Sequence, residues 1–410
     1  MKSAVKQEVH GLNGDEAVAL AVKQADVDVV AAYPITPQTI IVEKFSEYVA
    51  SGEVNTEYVC TESEHSAMAA CLAASAVGAR TFTATASAGM ALMHEMLFVT
   101  SGCRAPVVMA VANRALSAPL NIHGDHSDSM AERDSGWIQM YAENAQEVYD
   151  SMLQAFRIAE HLDVQLPVMV GLDGFTLSHT LENVQVMLDD VVSRFVGTRQ
   201  LPNVVTHEGK TVPYKLDPAN PMTMGPVALQ NYYFEFKRQQ EEAMQNALRI
   251  IQQIHDEYAE LTGRRYGDGL LEQYQLDDAE IAIVCAGSTA GTVKTVIDDL
   301  RAGGIKAGLL RIRTFRPFPA IQIAKSLEKA KAVAVMDKSI SFGGNGGALF
   351  HETRHALYDA HTRPYMVNYV YGLGGRDVSP SQIRGIYEDL RKIMQTKHVD
   401  ELVKYVGLRE

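Results

Sequence analysis

Cysteine is scarce: Cys60, Cys71, Cys103 and Cys285 are the four in 410 residues, and no two form a CxxC pair or part of a zinc knuckle. That spacing leaves the chain without the usual four-cysteine set for an iron-sulfur cluster. The small and apolar neighbours of Cys60, Cys71 and Cys285 predict reduced, buried thiols. Long apolar runs are also missing, which excludes a membrane-spanning helix. The opening MKSAVKQEVHG lacks the apolar stretch of a secretory signal, so a cytoplasmic location is expected. Basic residues are in deficit, 37 Lys and Arg against 50 Asp and Glu, and a net charge of -13 argues against a nucleic-acid partner. The GxGxxG dinucleotide fingerprint is absent as well. GSTAG (Gly287 to Gly291) follows an apolar run but has the wrong spacing and reads as a structural turn, which disfavours a nucleotide-dependent dehydrogenase.

What is present is an alternation of short apolar runs with helical patterns, long enough for two or three domains. DVDVVAA, EYVC, RTFTATAS, APVVMAVANR and LPVMVGLDG read as strands. TIIVEKFSEYVASG, HSAMAACLAASAVGA and AGMALMHEMLFVTSG read as helices between them, with a long connection after Arg114. This rhythm predicts a doubly wound parallel sheet over residues 1–200. Five prolines between 201 and 226 mark a connector, followed by an amphipathic pattern with Ala247, Ile251, Ile254, Tyr258 and Leu261 on one side, read as a strap helix. Connector and strap occupy 201–270. A second α/β unit fills 271–410, with strand Ile281 to Cys285, helix Thr289 to Leu300, strand KAGLLRIRTF, helix Ala320 to Leu327, strand AVAVMD and a final helix.

Four polar stretches stand at the ends of the first unit's apolar runs: YPITP, TESEH, ATASAG and NRALSAPLNIHGDHSDSM. They bring a threonine (Thr36), two carboxylates (Glu62 and Glu64) and an arginine (Arg114) to the place where open α/β sheets hold ligands. Arg114 offers a planar fork suited to a carboxylate, and Thr36, flanked by Pro34 and Pro37, offers a hydroxyl or caps the next helix. His123, Asp125, His126 and Asp128 are crowded into one loop with no remote histidine paired to them, so a polar loop closing over an active site is favoured over a metal site. FGGNGG (Phe342 to Gly347) fits a turn and an interface or ligand loop equally.

In company and in order, AYPITP, TESEHSA, TATASAGMALMHE, NRALSAPLNIHGDHSDSMAERDSGW, LRIRTFRPFP, FGGNGGALF and GLGGRDV resemble the alpha-type chains of the 2-oxoacid:ferredoxin oxidoreductases, in particular those of the pyruvate synthase group. The resemblance spans both halves. It implies a thiamine-diphosphate-enzyme pyrimidine-type domain (1–200) followed by a transketolase C-terminal-like α/β domain (271–410). It implies thiamine diphosphate shared with a beta subunit that supplies the diphosphate and Mg²⁺ site, [4Fe-4S] clusters on partner chains, gamma and ferredoxin-like delta subunits, ferredoxin as electron partner and coenzyme A as co-substrate. GDG at Gly267 to Gly269 lies in a charged connector and is rejected as a diphosphate segment.

Carried onto this sequence, the resemblance makes Glu64 the carboxylate that hydrogen-bonds the aminopyrimidine and promotes cofactor activation. Glu62 is the alternative, since the two lie two residues apart at a strand end. Thr36 and Arg114 become the 2-oxoacid ligands. Pyruvate is expected ahead of 2-oxoisovalerate, and a non-catalytic structural subunit remains an alternative that the presence of all three residues disfavours.

Overall fold

The computed structural model describes residues 5–409. The chain opens with β1 (Gln7–Leu12), α1 (Gly14–Gln24), β2 (Val29–Ala32), α2 (Thr39–Ala50), β3 (Glu57–Cys60), α3 (Glu64–Ala76) and β4 (Thr81–Thr85). It continues through α4 (Ser87–Leu92), α5 (His94–Gly102), β5 (Val108–Asn113), α6 (Ser127–Ala131), β6 (Ile138–Tyr141), α7 (Ala145–Glu160) and β7 (Val168–Asp173). β8 (Glu182–Met187) pairs antiparallel with β1, and α8 (Asp189–Val196) leads to the short β9 (Asn203–Val205) and β10 (Thr211–Pro213). α9 (Tyr233–Thr262) ends at Gly263, whose left-handed φ of 80° closes the helix.

The second unit holds β11 (Leu271–Tyr274), β12 (Ile281–Cys285), α10 (Thr289–Ala302), β13 (Ala307–Ile312), β14 (Thr314–Arg316), α11 (Ala320–Ser326) and β15 (Ala332–Asp337). After these come α12 (Ala348–Ala356), β16 (Tyr365–Val370), a 3₁₀ turn at Leu373–Gly375, α13 (Pro380–Thr396) and β17 (Val403–Tyr405).

The strands form two main sheets. The first runs β14-β6-β7-β5-β4-β2-β3, parallel throughout except for β14 at its edge, and the second runs β11-β13-β12-β15-β16-β17, with β11 antiparallel. β4, β5 and β7 are buried along their whole length, as expected for parallel strands covered on both faces. Their side chains alternate: Val108, Ala110 and Ala112 enter one core, while Val107, Met109 and Val111 enter the core on the other face. β12 divides likewise, with Ala282 and Val284 joining the core of Val108 and Ala110 while Ile281, Ile283 and Cys285 face away. One apolar core is therefore continuous between the two units.

The structure differs from the sequence expectations in several places. The helix expected over AGMALMHEMLFVTSG is two helices meeting at Met93, whose N–H is divided between the carbonyls of Gly89 and Met90, a tightened turn that interrupts the ladder. The connection after Arg114 contains β6 and the sixteen-residue α7. The proline-rich connector contains a two-strand ribbon, with Pro213 at a strand end where its missing N–H costs little. Cys60 is exposed and Cys103 half-buried, contrary to the expected burial of Cys60, because Cys60 ends β3 at the edge of the sheet. All four thiols are free.

KAGLLRIRTF divides between the sheets: β13 stays in the second, whereas β14 pairs with β6 of the first. Two arginines flank this crossing. Arg311 and Arg313, both fully buried, converge on the fully buried Glu147 of α7, Arg311 at 2.7 and 3.1 Å and Arg313 Nε at 2.8 Å. Burial pushes the Glu147 carboxyl up, but the two guanidiniums outweigh it and hold it below the usual carboxylate range. Removing the anion leaves the buried Arg313 without an ionic partner among the described residues, while Arg311 keeps Glu272 at 2.6 Å and Glu143 at 3.3 Å, so Glu147→Gln is expected to lower stability by about 3–5 kcal/mol. Breaking the exposed Lys331–Glu280 pair with Glu280→Gln changes stability by less than about 1 kcal/mol. Thermal unfolding of the two variants side by side measures the difference.

Candidate active site

Thr36, Glu64, Ser87 and Arg114 lie just beyond the carboxyl ends of β2, β3, β4 and β5, and Asp173 ends β7. Glu64 opens α3. Ser63 caps that helix by accepting from the Ser66 N–H, which orients the first turn and places the Glu64 side chain inward, 5% exposed. Glu62 takes the opposite course: it is exposed, bonds the Ser66 hydroxyl, and that hydrogen bond lowers its pKa. Two residues apart at a strand end, the two carboxylates nevertheless point apart, because the chain turns from strand to helix between them.

Among the described residues, no hydrogen bond satisfies the Glu64 carboxylate. Gly89 of α4 makes room for it, since a Cβ there would lie 2.5 Å from both Glu64 Oε1 and Thr85 Oγ1. Thr85 Oγ1 is itself buried without a partner. A buried carboxylate beside an orphaned hydroxyl, in a recess kept open by a glycine, is an acceptor for an N–H brought by a ligand. These residues fit the aminopyrimidine of thiamine diphosphate.

Arg114 is 7% exposed, and its guanidinium is held by carbonyls: Nε donates to Asn121 O at 3.0 Å and Nη1 to Thr36 O at 2.9 Å. It has no carboxylate within ion-pair distance among the described residues. Thr36 is exposed and does not cap α2, which starts at Thr39 behind Gln38. Gln38 ties this turn to β4 by donating to Ala84 O at 2.7 Å.

The histidine and aspartate loop separates into individual roles. Asp128 is a brace: Oδ2 accepts from the N–H groups of Ser87 and Arg114 at 3.0 and 2.9 Å, and Oδ1 accepts from Asn113 Nδ2 and the Ser129 N–H. Burial raises its pKa against those donors. Asp125 accepts from Ser127 and, across the units, from the Gly374 N–H at 3.0 Å. His126 Nε2 meets Asp173 Oδ1 at 2.7 Å, whereas His123 is exposed against the Phe175 ring. Among the described residues no group of three or more His, Cys, Asp or Glu converges as metal ligands.

Sequence reasoning missed Asp173, Lys338, Ser288 and Asn121. Asp173 is the polar end of the run LPVMVGLDG, the one signal that pointed to it. Its carboxylate faces His126, Lys338 Nζ at 3.3 Å, and both the N–H and hydroxyl of Ser288. Burial pushes the Asp173 carboxyl up, but Lys338, His126 and the hydrogen bonds outweigh it and hold it well below the usual range.

Transketolase-type architecture defines the class: a doubly wound thiamine-diphosphate-enzyme-like domain and a transketolase C-terminal-like domain. A 2-oxoglutarate:ferredoxin oxidoreductase structure from Magnetococcus marinus superposes with a TM-score of 0.73 at 18% identity, covering 94% of this chain and 66% of that polypeptide. A split-gene transketolase superposes at 0.53 and 13% identity, over 95% of this chain and all of that one. The family described as pyruvate flavodoxin/ferredoxin oxidoreductase, thiamine diphosphate-binding, matches residues 20–256, and the pyruvate:ferredoxin oxidoreductase core domain II matches 279–383. Pyruvate synthase subunit PorA of Methanocaldococcus jannaschii is 51% identical over 98% of this chain and 99% of its own length, and that of Thermotoga maritima 49% over 97% and 98%. A ketoisovalerate oxidoreductase subunit VorA of Pyrococcus abyssi is 43% identical over 97% of each. The chain belongs to the pyruvate:ferredoxin oxidoreductase family, enzymes that oxidise 2-oxoacids with thiamine diphosphate and ferredoxin in multi-subunit complexes.

Asp173→Asn leaves Lys338 and His126 without their shared anion. Because the folded pKa is depressed, this carboxylate stabilises fully above the ordinary aspartate value near 3.9 and loses that contribution as pH falls through the lower folded value. The difference in thermal midpoint between the parent and Asp173→Asn is therefore expected to persist from about pH 8 to about pH 5 and to shrink only in stronger acid.

Proposed function

We propose that this chain is the alpha subunit of a pyruvate:ferredoxin oxidoreductase, converting pyruvate and coenzyme A to acetyl-CoA and CO₂, reversibly, with the electrons passing to ferredoxin. The observation that carries the substrate side is Arg114, a buried guanidinium held by two carbonyls and without a counter-ion among the described residues. It receives the 2-oxoacid carboxylate, with the Thr36 hydroxyl beside it. Glu64 accepts a hydrogen bond from the aminopyrimidine and holds the charge that favours its reactive tautomer. Glu62, exposed and bonded to Ser66, is set aside for that role. Thiamine diphosphate, when bound, would supply the nucleophilic carbon and the electron sink that decarboxylation of a 2-oxoacid needs. The loop of His123, Asp125, His126 and Asp128 borders this site and keeps Arg114 in place.

The alpha chain supplies half of the site. A beta subunit with the diphosphate and Mg²⁺ site, a gamma subunit and a ferredoxin-like delta subunit with [4Fe-4S] clusters complete the complex in the cytoplasm. Exposed Val227, Leu229, Tyr232, Tyr233, Phe234 and Phe236 support an assembly of several chains, since a tract this apolar is unusual on a solitary protein. Residues 1–200, 201–270 and 271–410 serve as pyrimidine-type domain, connector with strap helix, and transketolase C-terminal-like domain.

In the purified complex, Glu64→Gln is expected to abolish pyruvate-dependent viologen reduction while subunit composition by mass analysis stays intact. Near-normal turnover removes Glu64 from the cofactor. The homogeneous chain supplied with every cofactor is expected to be inactive in the same assay.

A branched 2-oxoacid is the second reading, favoured by the ketoisovalerate relative, which matches along nearly the full chain. Pyruvate is expected to give the higher kcat/KM of the two acids. Arg114→Lys is expected to lower that value by about tenfold or more, and an unchanged profile takes Arg114 out of the substrate site.

A further inference from the structure

Arg114 is oriented by the carbonyl of Asn121, and Asn121 is itself held from the other α/β unit. Its Nδ2 donates to Gly374 O at 3.0 Å, while its Oδ1 accepts from the His123 N–H at 2.8 Å. The N–H of the same Gly374 donates to Asp125 Oδ2 at 3.0 Å, and Asp125 Oδ1 accepts from the Ser127 N–H at 2.9 Å. Both polar groups of one glycine thus grip the two ends of the segment 121–125. The fit requires glycine: φ at Gly374 is +61°, and a Cβ there would lie 2.2 Å from Asn121 Nδ2. A Cβ at the neighbouring Gly375 would lie 2.3 Å from His123 Cβ. The outer part of this loop is exposed, with Leu120 at 73% and Ile122 at 41%, and among the described residues Arg114 Nη2 makes no hydrogen bond.

We propose that the Leu373–Gly375 turn of the C-terminal unit is a positioning device for the substrate arginine. By fixing Asn121 and Asp125 it sets the plane of the Arg114 guanidinium and the direction in which Nη2 meets the carboxylate. Affinity for the 2-oxoacid is then set partly by a turn that does not touch it. This rests on the reading of Arg114 as the carboxylate ligand. Asn121, Asp125 and Gly374 are positioning residues, acting through Arg114.

The test uses steady-state kinetics of the assembled complex. Asn121→Ala removes the side-chain tie and keeps the carbonyl that Arg114 uses; Gly374→Ala drives a methyl into Asn121. Each is expected to raise KM for the 2-oxoacid by about tenfold with kcat changed less than about threefold, and to leave KM for coenzyme A unchanged. A purely structural defect lowers activity without singling out one substrate. The methyl of Gly374→Ala collides with the group that Asn121→Ala deletes, so the double variant is expected to be no worse than the worse single one. Gly385→Ala, in an open position on α13, is the control and leaves both KM values alone. Unchanged KM in Asn121→Ala overturns the proposal, and that variant decides the matter if Gly374→Ala does not assemble. If Arg114→Lys raises KM while Asn121→Ala does not, the positioning role alone fails; if Arg114→Lys changes nothing, the substrate reading itself fails.

Discussion

Compensation of buried charge across the seam between the two α/β units is the constraint on which the rest depends. The first unit buries Glu147 and Asp173, and neither finds an adequate cation within that unit. Arg311 and Arg313 reach Glu147 as the chain crosses from β13 to β14, and Lys338 with Ser288 reaches Asp173 beside His126. A carboxylate buried without such partners costs several kcal/mol, so the units are held in one register by electrostatics as well as by their common apolar core. Register matters because the second unit also carries the glycine turn that meets the Arg114 loop.

Within the first unit, polar satisfaction separates scaffold from site. Asp128 has four donors and Asp125 has three; each joins segments that would otherwise splay at the ends of the strands. Among the described residues the Glu64 carboxylate has no donor and the free edge of Arg114 no acceptor, although both side chains are buried. A buried acceptor without a donor and a buried cation without an anion are stabilised when a ligand or an ordered water completes them. That asymmetry ranks the candidate residues more sharply than their proximity does.

The sheets were legible because their strands are short apolar runs ending in turn residues, and Thr36, Glu64 and Arg114 stood out as candidates because they stand at those ends. α7 was hidden for the opposite reason. It is covered almost all round, yet Glu147, Asp150 and Gln154 face the interior on ion pairs and hydrogen bonds, so its polar pattern does not follow exposure. β14 was hidden because a three-residue strand that changes sheets has no periodicity of its own. The separation of Glu62 from Glu64 depended on where a helix begins, a boundary that moves by a residue or two in any reading of sequence. GLGGRDV was visible as a motif, but its contact with Asn121 spans 253 residues and has no local signal.

Arg80 and Arg114 differ in what holds their guanidiniums. Both are nearly buried, at 6% and 7% exposure. Arg80 meets Glu160 through two parallel bonds of 2.7 and 2.8 Å, and its charge is spent within the protein. Among the described residues the Arg114 guanidinium meets only carbonyl dipoles, which fix it in space and leave its net charge uncancelled. A carboxylate at that position would hold the arginine as firmly and would compete with every anionic substrate. Holding a cation by carbonyls therefore preserves both its orientation and its attraction, and it transfers the task of rigidity to whatever holds the carbonyls. In this chain that task falls partly to the loop from Asn121 to Asp125 and, through Gly374, to the second unit.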